Sequence, residues 1–254
     1  VRAAYSSGTP AIGVGAGNGP AYIHPTADVQ QAVKRILDSK TFDNGTVCAS
    51  EQSIIVARAQ EGAVTAALRD QGAYLLDGEE QEKLARFILR PHGTMNPAMV
   101  GKSVETLAKL AGLDRVPPSA RVLVARESGV GRGHPYSSEK LGLILAYFVE
   151  ADEEAVLRRC VEILEWEGAG HTFAIHAQDE QVVRRFAQEV PASRVLVNTA
   201  ASLGGIGATT CLFPALTRGC GAVGGSSSSN NSGPLDLINI KRAAWGGREL
   251  EDLR

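Results

Sequence analysis

The chain has 254 residues, 44% of them apolar, enough to bury a sizeable core in one large α/β domain or two small ones. Its formal net charge of -2 offers no basic surface to nucleic acid or an anionic membrane, no apolar run approaches the roughly 18 residues of a membrane span, and no signal-peptide pattern opens it. Four cysteines, at 48, 160, 211 and 220, have neither Cys-x-x-Cys spacing nor the density of a disulfide framework, so a reduced cytoplasmic protein is expected.

Residues 11–14 make the first strand-like run, and it leads into a glycine-rich stretch at 13–19. Those glycines fall at 13, 15, 17 and 19, which misses the dinucleotide spacing Gly-x-Gly-x-x-Gly, and no Walker Lys-Ser/Thr pair follows. A turn that lets backbones approach closely is the better reading. A helix is predicted over 27–39, where Val29, Val33, Ile36 and Leu37 share one face. Strands are predicted at 53–56, 121–125, 172–177 and 194–197, and further helices at 81–89 and 181–190. After Asp152 the helical offsets recur at Val156, Cys160, Ile163 and Leu164. This alternation predicts an α/β fold with a mostly parallel sheet flanked by helices. Residues 219–233, mostly Gly, Ser and Asn, read on composition as a flexible linker. Residues 237–245 regain strand character, and a strand there must pair with a sheet or with a partner chain.

The strongest chemical signal is Thr41-Phe-Asp-Asn-Gly-Thr-Val-Cys48-Ala-Ser-Glu-Gln52. Asn44-Gly45 marks a turn, and the cysteine after it sits in a polar loop just before a strand, where nucleophiles are usually presented. An inert, half-buried thiol is the competing reading, and Cys160, on the apolar stripe of its own helix, illustrates it. The histidines at 24, 92, 134, 171 and 176 are too scattered for a metal site, and His171 and His176, five apart on a strand, face opposite ways. His171 stands at a strand entrance, where its imidazole reaches a cleft or is simply hydrogen-bonded in the structure. Glu139 precedes an apolar run and reads equally as a helix-start carboxylate.

Phe42-Asp-Asn-Gly-Thr-Val-Cys48-Ala-Ser-Glu-Gln52 nevertheless resembles the CoA-acylating aldehyde dehydrogenases, including the aldehyde-oxidising half of bifunctional aldehyde–alcohol dehydrogenases. The resemblance continues in the same order through Pro10-Ala-Ile-Gly-Val-Gly-Ala-Gly-Asn18, Glu139-Lys-Leu141, Gly170-His-Thr172, Gly204-Gly-Ile-Gly207, Gly219-Cys-Gly221, Gly224-Gly225 and Gly233-Pro234, with Leu237-Ile-Asn-Ile-Lys241 after it. It implies that Cys48 attacks the aldehyde, that hydride leaves to NAD (NADP is not excluded), and that CoA, as co-substrate, takes the acyl group from the thioester. It implies an oxyanion held partly by the Cys48 backbone N–H, and nicotinamide-ribose contacts at Glu139 and Leu141. His171 is implied in proton handling or CoA positioning, Ala200, Ser202, Gly204 and Gly205 in the aldehyde pocket, and Gly17 and Asn18 in the turn facing the site.

Hydrolytic members of the wider family carry a glutamate in that turn, and no carboxylate occurs here between Val1 and Asp28. The match begins where the family's catalytic domain begins, so the expected division is a thiol domain at 1–235 and an oligomerisation arm at 236–254, with the N-terminal cofactor-binding half absent. A homo-oligomer, in a filament or microcompartment, is the implied assembly. Two other readings stay open: a sulfonated or longer aldehyde, the former favoured by a basic pocket from the absent half, and a catalytically silent assembly module.

Overall fold

A computed structural model describes residues 1–90 and 93–253; His92 lies outside the described residues. Seven strands form one sheet: β1 Pro20–Ile23, β2 Ser53–Ala57, β3 Ala73–Leu75, β4 Val122–Arg126, β5 Ile144–Glu150, β6 Gly170–His176 and β7 Ala192–Val197. Their spatial order is β3-β4-β5-β2-β1-β6-β7, and every neighbouring pair is parallel. The helices are α1 Arg2–Tyr5, α2 Val29–Thr41, α3 Glu61–Asp70, α4 Gly78–Ile88, α5 Val104–Ala111, α6 Glu153–Trp166, α7 Glu180–Glu189 and α8 Ala201–Gly205. Among the described residues no helix is long and apolar enough to cross a membrane.

A parallel sheet needs both faces covered, and alternate strand residues feed two separate cores here. Tyr22, Ile55, Leu123, Ala146, Phe148 and Phe173 pack with the buried stripes of α4, α5, α6 and α7. Their neighbours Ala21, Ile23, Ile54, Val56, Val122, Leu145 and Tyr147 pack with α2, α3 and Ala201. The α6 helix shows how sequence sets this arrangement. Asp152 caps it by accepting from the Ala155 N–H, Glu153 and Glu154 occupy its first turn, and Val156, Cys160, Ile163 and Leu164 are buried. Burial pushes the Cys160 thiol far up, so this cysteine behaves as a core residue.

Several expectations change. Residues 11–14 are not a strand: the Gly13 backbone is held by the Tyr5 and Ser226 hydroxyls and Ala11 by Ser227, which leaves no ladder to form. The run after Glu139 is β5 rather than a helix, because a continuous apolar and aromatic run whose first five residues are all buried suits a central parallel strand. The stretch at 219–233 is no loose linker, since Gly219 donates to Asn230, Gly221 to Ser228, and Ser226 back to Gly221. Its glycines serve close approach: a Cβ at Gly219 would overlap the Ser228 carbonyl. Residues 237–245 are not a strand within this chain; they pair with neither sheet edge, and Leu237 and Trp245 are 85% and 87% exposed.

Asn18 precedes β1, Cys48 precedes β2, Glu139 precedes β5, His171 is the second residue of β6 and Arg194 the third of β7. The chemically interesting side chains therefore gather at the amino ends of the strands. Open parallel sheets usually bind ligands at the carboxyl ends.

Candidate active site

Cys48 is presented by a tight descent from α2. Asp43, Asn44 and Gly45 take left-handed backbone angles in succession, at φ 49, 50 and 73. Asn and Asp tolerate this region better than other non-glycine residues. At Gly45 an added Cβ would stand 2.6 Å from the Gly142 carbonyl oxygen, so only glycine fits. The Asn44 side-chain amide fastens the turn by donating to the Gly101 carbonyl at 3.1 Å. The Asn44-Gly45 signal in the sequence marks this bend.

Cys48 is half-buried, and Gly17 lies directly on its backbone: any Cβ at Gly17 would overlap the Cys48 carbonyl oxygen. The Gly17 N–H donates to Glu139 Oε1 at 2.9 Å, and buried Asn18 donates to the Ser137 carbonyl at 2.7 Å. Sequence-distant Gly17, Asn18, Cys48 and Glu139 thus meet. Gln52 holds the two loops together, its Oε1 accepting from the Lys140 backbone N–H at 2.9 Å and from Lys40 Nζ at 3.1 Å. Lys140 Nζ donates to the Tyr136 and Ser138 carbonyls at 2.6 Å each, fixing the approach to Glu139. Burial pulls this ammonium down to about 7. Half-buried Leu141 accepts from the Gly101 N–H at 3.0 Å.

Burial pushes the Glu139 carboxyl up to about 7, an effect opposed by the Gly17 hydrogen bond and reinforced by Glu167. Its Oε1 is engaged by Gly17, while Oε2 has no protein hydrogen bond among the described residues and is able to accept from a ligand hydroxyl. A free acceptor of this kind fits the hydroxyls of a ribose.

His171 is buried, its Nδ1 lies 2.9 Å from the Thr172 hydroxyl, and its Nε2 has no partner among the described residues. Burial first, then the charges of Arg218 and Arg194, lower its pKa to about 3, so the imidazole is neutral at physiological pH. The unfolded chain takes up this proton near pH 6.5 and the folded chain does so only near 3, so the neutral histidine's contribution to stability is complete above 6.5 and is lost as pH falls toward 3. His171→Gln is expected to flatten this part of the acid limb by a few kcal/mol at most. Denaturant titrations of both proteins from pH 7 to 3.5 measure it; parallel curves would refute the assignment.

Two residues absent from the sequence reading complete the site. Arg218 is 1% exposed and its Nη2 points at Cys48 Sγ, 3.6 Å away. Arg194 is 6% exposed and donates to the Ser229 carbonyl at 2.7 Å. The only hint of Arg218 in the sequence is a cation inside a small, glycine-rich run. In α8, Gly205 lies against Ala49 and Arg218, and Gly204 against Thr199 and Thr210. Ser202 instead bonds to Ser39 of α2 through both its N–H and its hydroxyl, and the buried Ala200 carbonyl accepts from Gly204. The Ala201 N–H donates to Glu51 Oε1 at 2.9 Å, joining α8 to the cysteine loop.

No protein-family model matches the chain. The crystal structure of an acetylating aldehyde dehydrogenase from Geobacillus thermoglucosidasius superposes with a TM-score of 0.95 at 46% identity, over 98% of this chain and 55% of that one. The bifunctional aldehyde–alcohol dehydrogenase of Escherichia coli K12 is 43% identical over 249 residues, which are 96% of this chain and 28% of that protein. A propionaldehyde dehydrogenase from Rhodopseudomonas palustris, solved with bound CoA and an acylated cysteine, superposes with a TM-score of 0.80 at 25% identity, over 90% of this chain and 51% of that one. The chain thus spans about half the length of these solved structures and just over a quarter of the bifunctional enzyme.

Proposed function

Since the chain is a homologue of the CoA-acylating aldehyde dehydrogenases over nearly its whole length, we propose that it carries their thiol chemistry: oxidation of a short aldehyde to an acyl-CoA through Cys48. The observation that carries this reading is the convergence of Cys48, Gly17, Glu139 and Arg218 from four separate loops.

The Cys48 sulfur attacks the aldehyde carbon, the C–S bond forms, and the carbonyl electron pair moves onto oxygen. Backbone N–H groups of the cysteine loop stabilise the charge that develops there. When bound, a nicotinamide would accept the hydride that leaves the former aldehyde carbon as the C=O bond re-forms, and Glu139 would hold its ribose. The resulting thioester on Cys48 is attacked by the CoA thiol, whose proton passes to a base. His171, neutral and with Nε2 unpartnered, has the right form for that base. The acyl group leaves with CoA and the Cys48 thiolate is restored.

Water competes with CoA for the thioester. The turn at 13–19 brings no carboxylate of its own, and the Glu139 oxygen that reaches it is occupied by the Gly17 N–H. The absence of a carboxylate in that turn is the ground on which slow hydrolysis is expected, which favours transfer to CoA. The exposed apolar side chains of 237–245 support an arm that seats on another copy of the chain.

Incubation with acetyl-CoA tests the acyl-transfer half of this reaction without a nicotinamide. One acetyl increment is expected on Cys48 by intact mass and peptide mapping, and free CoA is expected to remove it. No increment while Cys48 remains open to alkylation would overturn the reading for this chain.

A further inference from the structure

Arg218 and Arg194 are buried guanidiniums, and neither is paired with a carboxylate among the described residues. Arg218 spends Nη2 on Cys48, while its Nε and Nη1 have no partner among the described residues; Arg194 spends Nη2 on Ser229, while its Nη1 has none among them. Buried cations are ordinarily paired, and buried donors ordinarily bonded. Here the two charges oppose each other, and both lie close enough to His171 to depress its protonation. The arrangement is built in, because Gly205 leaves the space that Nη1 occupies: a Cβ at 205 would collide with it. Arg194 also lines a cavity of about 770 Å³ bounded by Phe213, Asn231 and Leu235. Asp236, the acidic residue of that cavity, bonds to the Gly233 N–H.

We propose that Arg218 and Arg194 form an anion subsite beside Cys48 that holds the terminal carboxylate or sulfonate of a short aldehyde. The proposal rests on the acyl-transfer reading for its substrate, and on the two orphaned guanidiniums for its charge. A thiolate on Cys48 satisfies the one nitrogen already aimed at it and leaves the other donors to a second anion. That anion is not a CoA phosphate during transfer, since the pantetheine arm separates the CoA thiol from its phosphates by many bonds. A carboxylate accepts two parallel N–H groups from one guanidinium, the strongest pairing such a donor makes. A basic pocket from the absent half would favour a sulfonated aldehyde; these two guanidiniums offer that charge within this chain.

The test compares alkylation of Cys48 by iodoacetate and by iodoacetamide, probes that differ in one negative charge. A thiolate in a neutral setting repels iodoacetate and reacts faster with the amide. Here iodoacetate is expected to react about 10- to 100-fold faster, the ratio that one charge-assisted hydrogen bond supplies. Propionate and ethanesulfonate should slow the iodoacetate reaction, whereas adenosine 3′,5′-bisphosphate should not. Arg218→Leu should bring the rate ratio down to that of a free thiol such as N-acetylcysteine. The competition assay on the unaltered chain stands even if this variant misfolds. Equal rates, or protection by the nucleotide alone, would overturn the subsite. Iodoacetate preference without acetyl transfer from acetyl-CoA would instead overturn the reaction and leave the subsite standing.

Discussion

Cys48→Ser is expected to reduce acetyl transfer from acetyl-CoA at least ~10³-fold, about 4 kcal/mol of barrier, while leaving the melting temperature almost unchanged. The first half of this expectation follows from chemistry. A serine hydroxyl is scarcely ionised near neutrality, whereas a thiol has an appreciable thiolate fraction, and an oxygen ester is a poorer acyl donor to a second thiol. The second half follows from the surroundings. Cys48 is half-buried, and its sulfur has one polar contact, the Arg218 donor at 3.6 Å, which a hydroxyl also accepts. The other cysteines provide the control. Cys160 is enclosed in the α6 core, and Cys160→Ala should leave transfer intact at a stability cost of about 1 kcal/mol. Time courses of acetyl incorporation, with melting curves on the same samples, decide the matter. Persistent labelling of the serine variant would move the nucleophile elsewhere.

Gly17→Ala should damage acyl transfer far beyond what the addition of one methyl group suggests. The new Cβ would overlap the Cys48 carbonyl oxygen, which is backbone and has no rotamer to turn aside. The two loops must therefore separate, and their separation stretches the Gly17 N–H bond to Glu139. Overpacking of this kind costs about 1–3 kcal/mol in stability. A displacement of roughly 1 Å at a reacting centre costs about 100-fold in rate. Gly62→Ala on α3 is the comparison, since a Cβ there meets nothing within 4 Å. If Gly17→Ala transfers acetyl groups at the parent rate, the Gly17–Cys48 contact has no part in placing the thiol.

Much of the fold was legible wherever a single period ran long enough. The stripes of α2 and α6 announced themselves because each buries a regular face, and β2 and β4 because their short runs are apolar and rich in β-branched residues. The missed strands are of two kinds. With four and three residues, β1 and β3 are too short to show a period, and β5, continuously apolar as far as Val149, carries none. The site was legible through Cys48, Glu139, Gly17 and Asn18, whose motifs are contiguous. Arg218 was not, because its meaning lies in a contact with a residue 170 positions away. Nor does composition separate the glycine-rich segment at 219–233 from a linker: the same residues that permit disorder also permit backbones to touch.

Because Asn18, Cys48 and Glu139 stand just ahead of strands and His171 at the start of one, the fold tolerates insertions unevenly. A residue added well upstream of Cys48, in the exposed stretch before α2, is absorbed by loop. One added between Cys48 and Ser53 leaves a choice between displacing the thiol and slipping β2 by one position, which would turn Ile54 and Val56 toward the wrong core. His171 has still less latitude, since it directly follows Gly170, the first residue of its strand, which pairs with Ala192 of β7. Length variation among natural versions of this fold should accumulate at the carboxyl ends of the strands, where the connections leave the sheet, and spare the short spans that enter it.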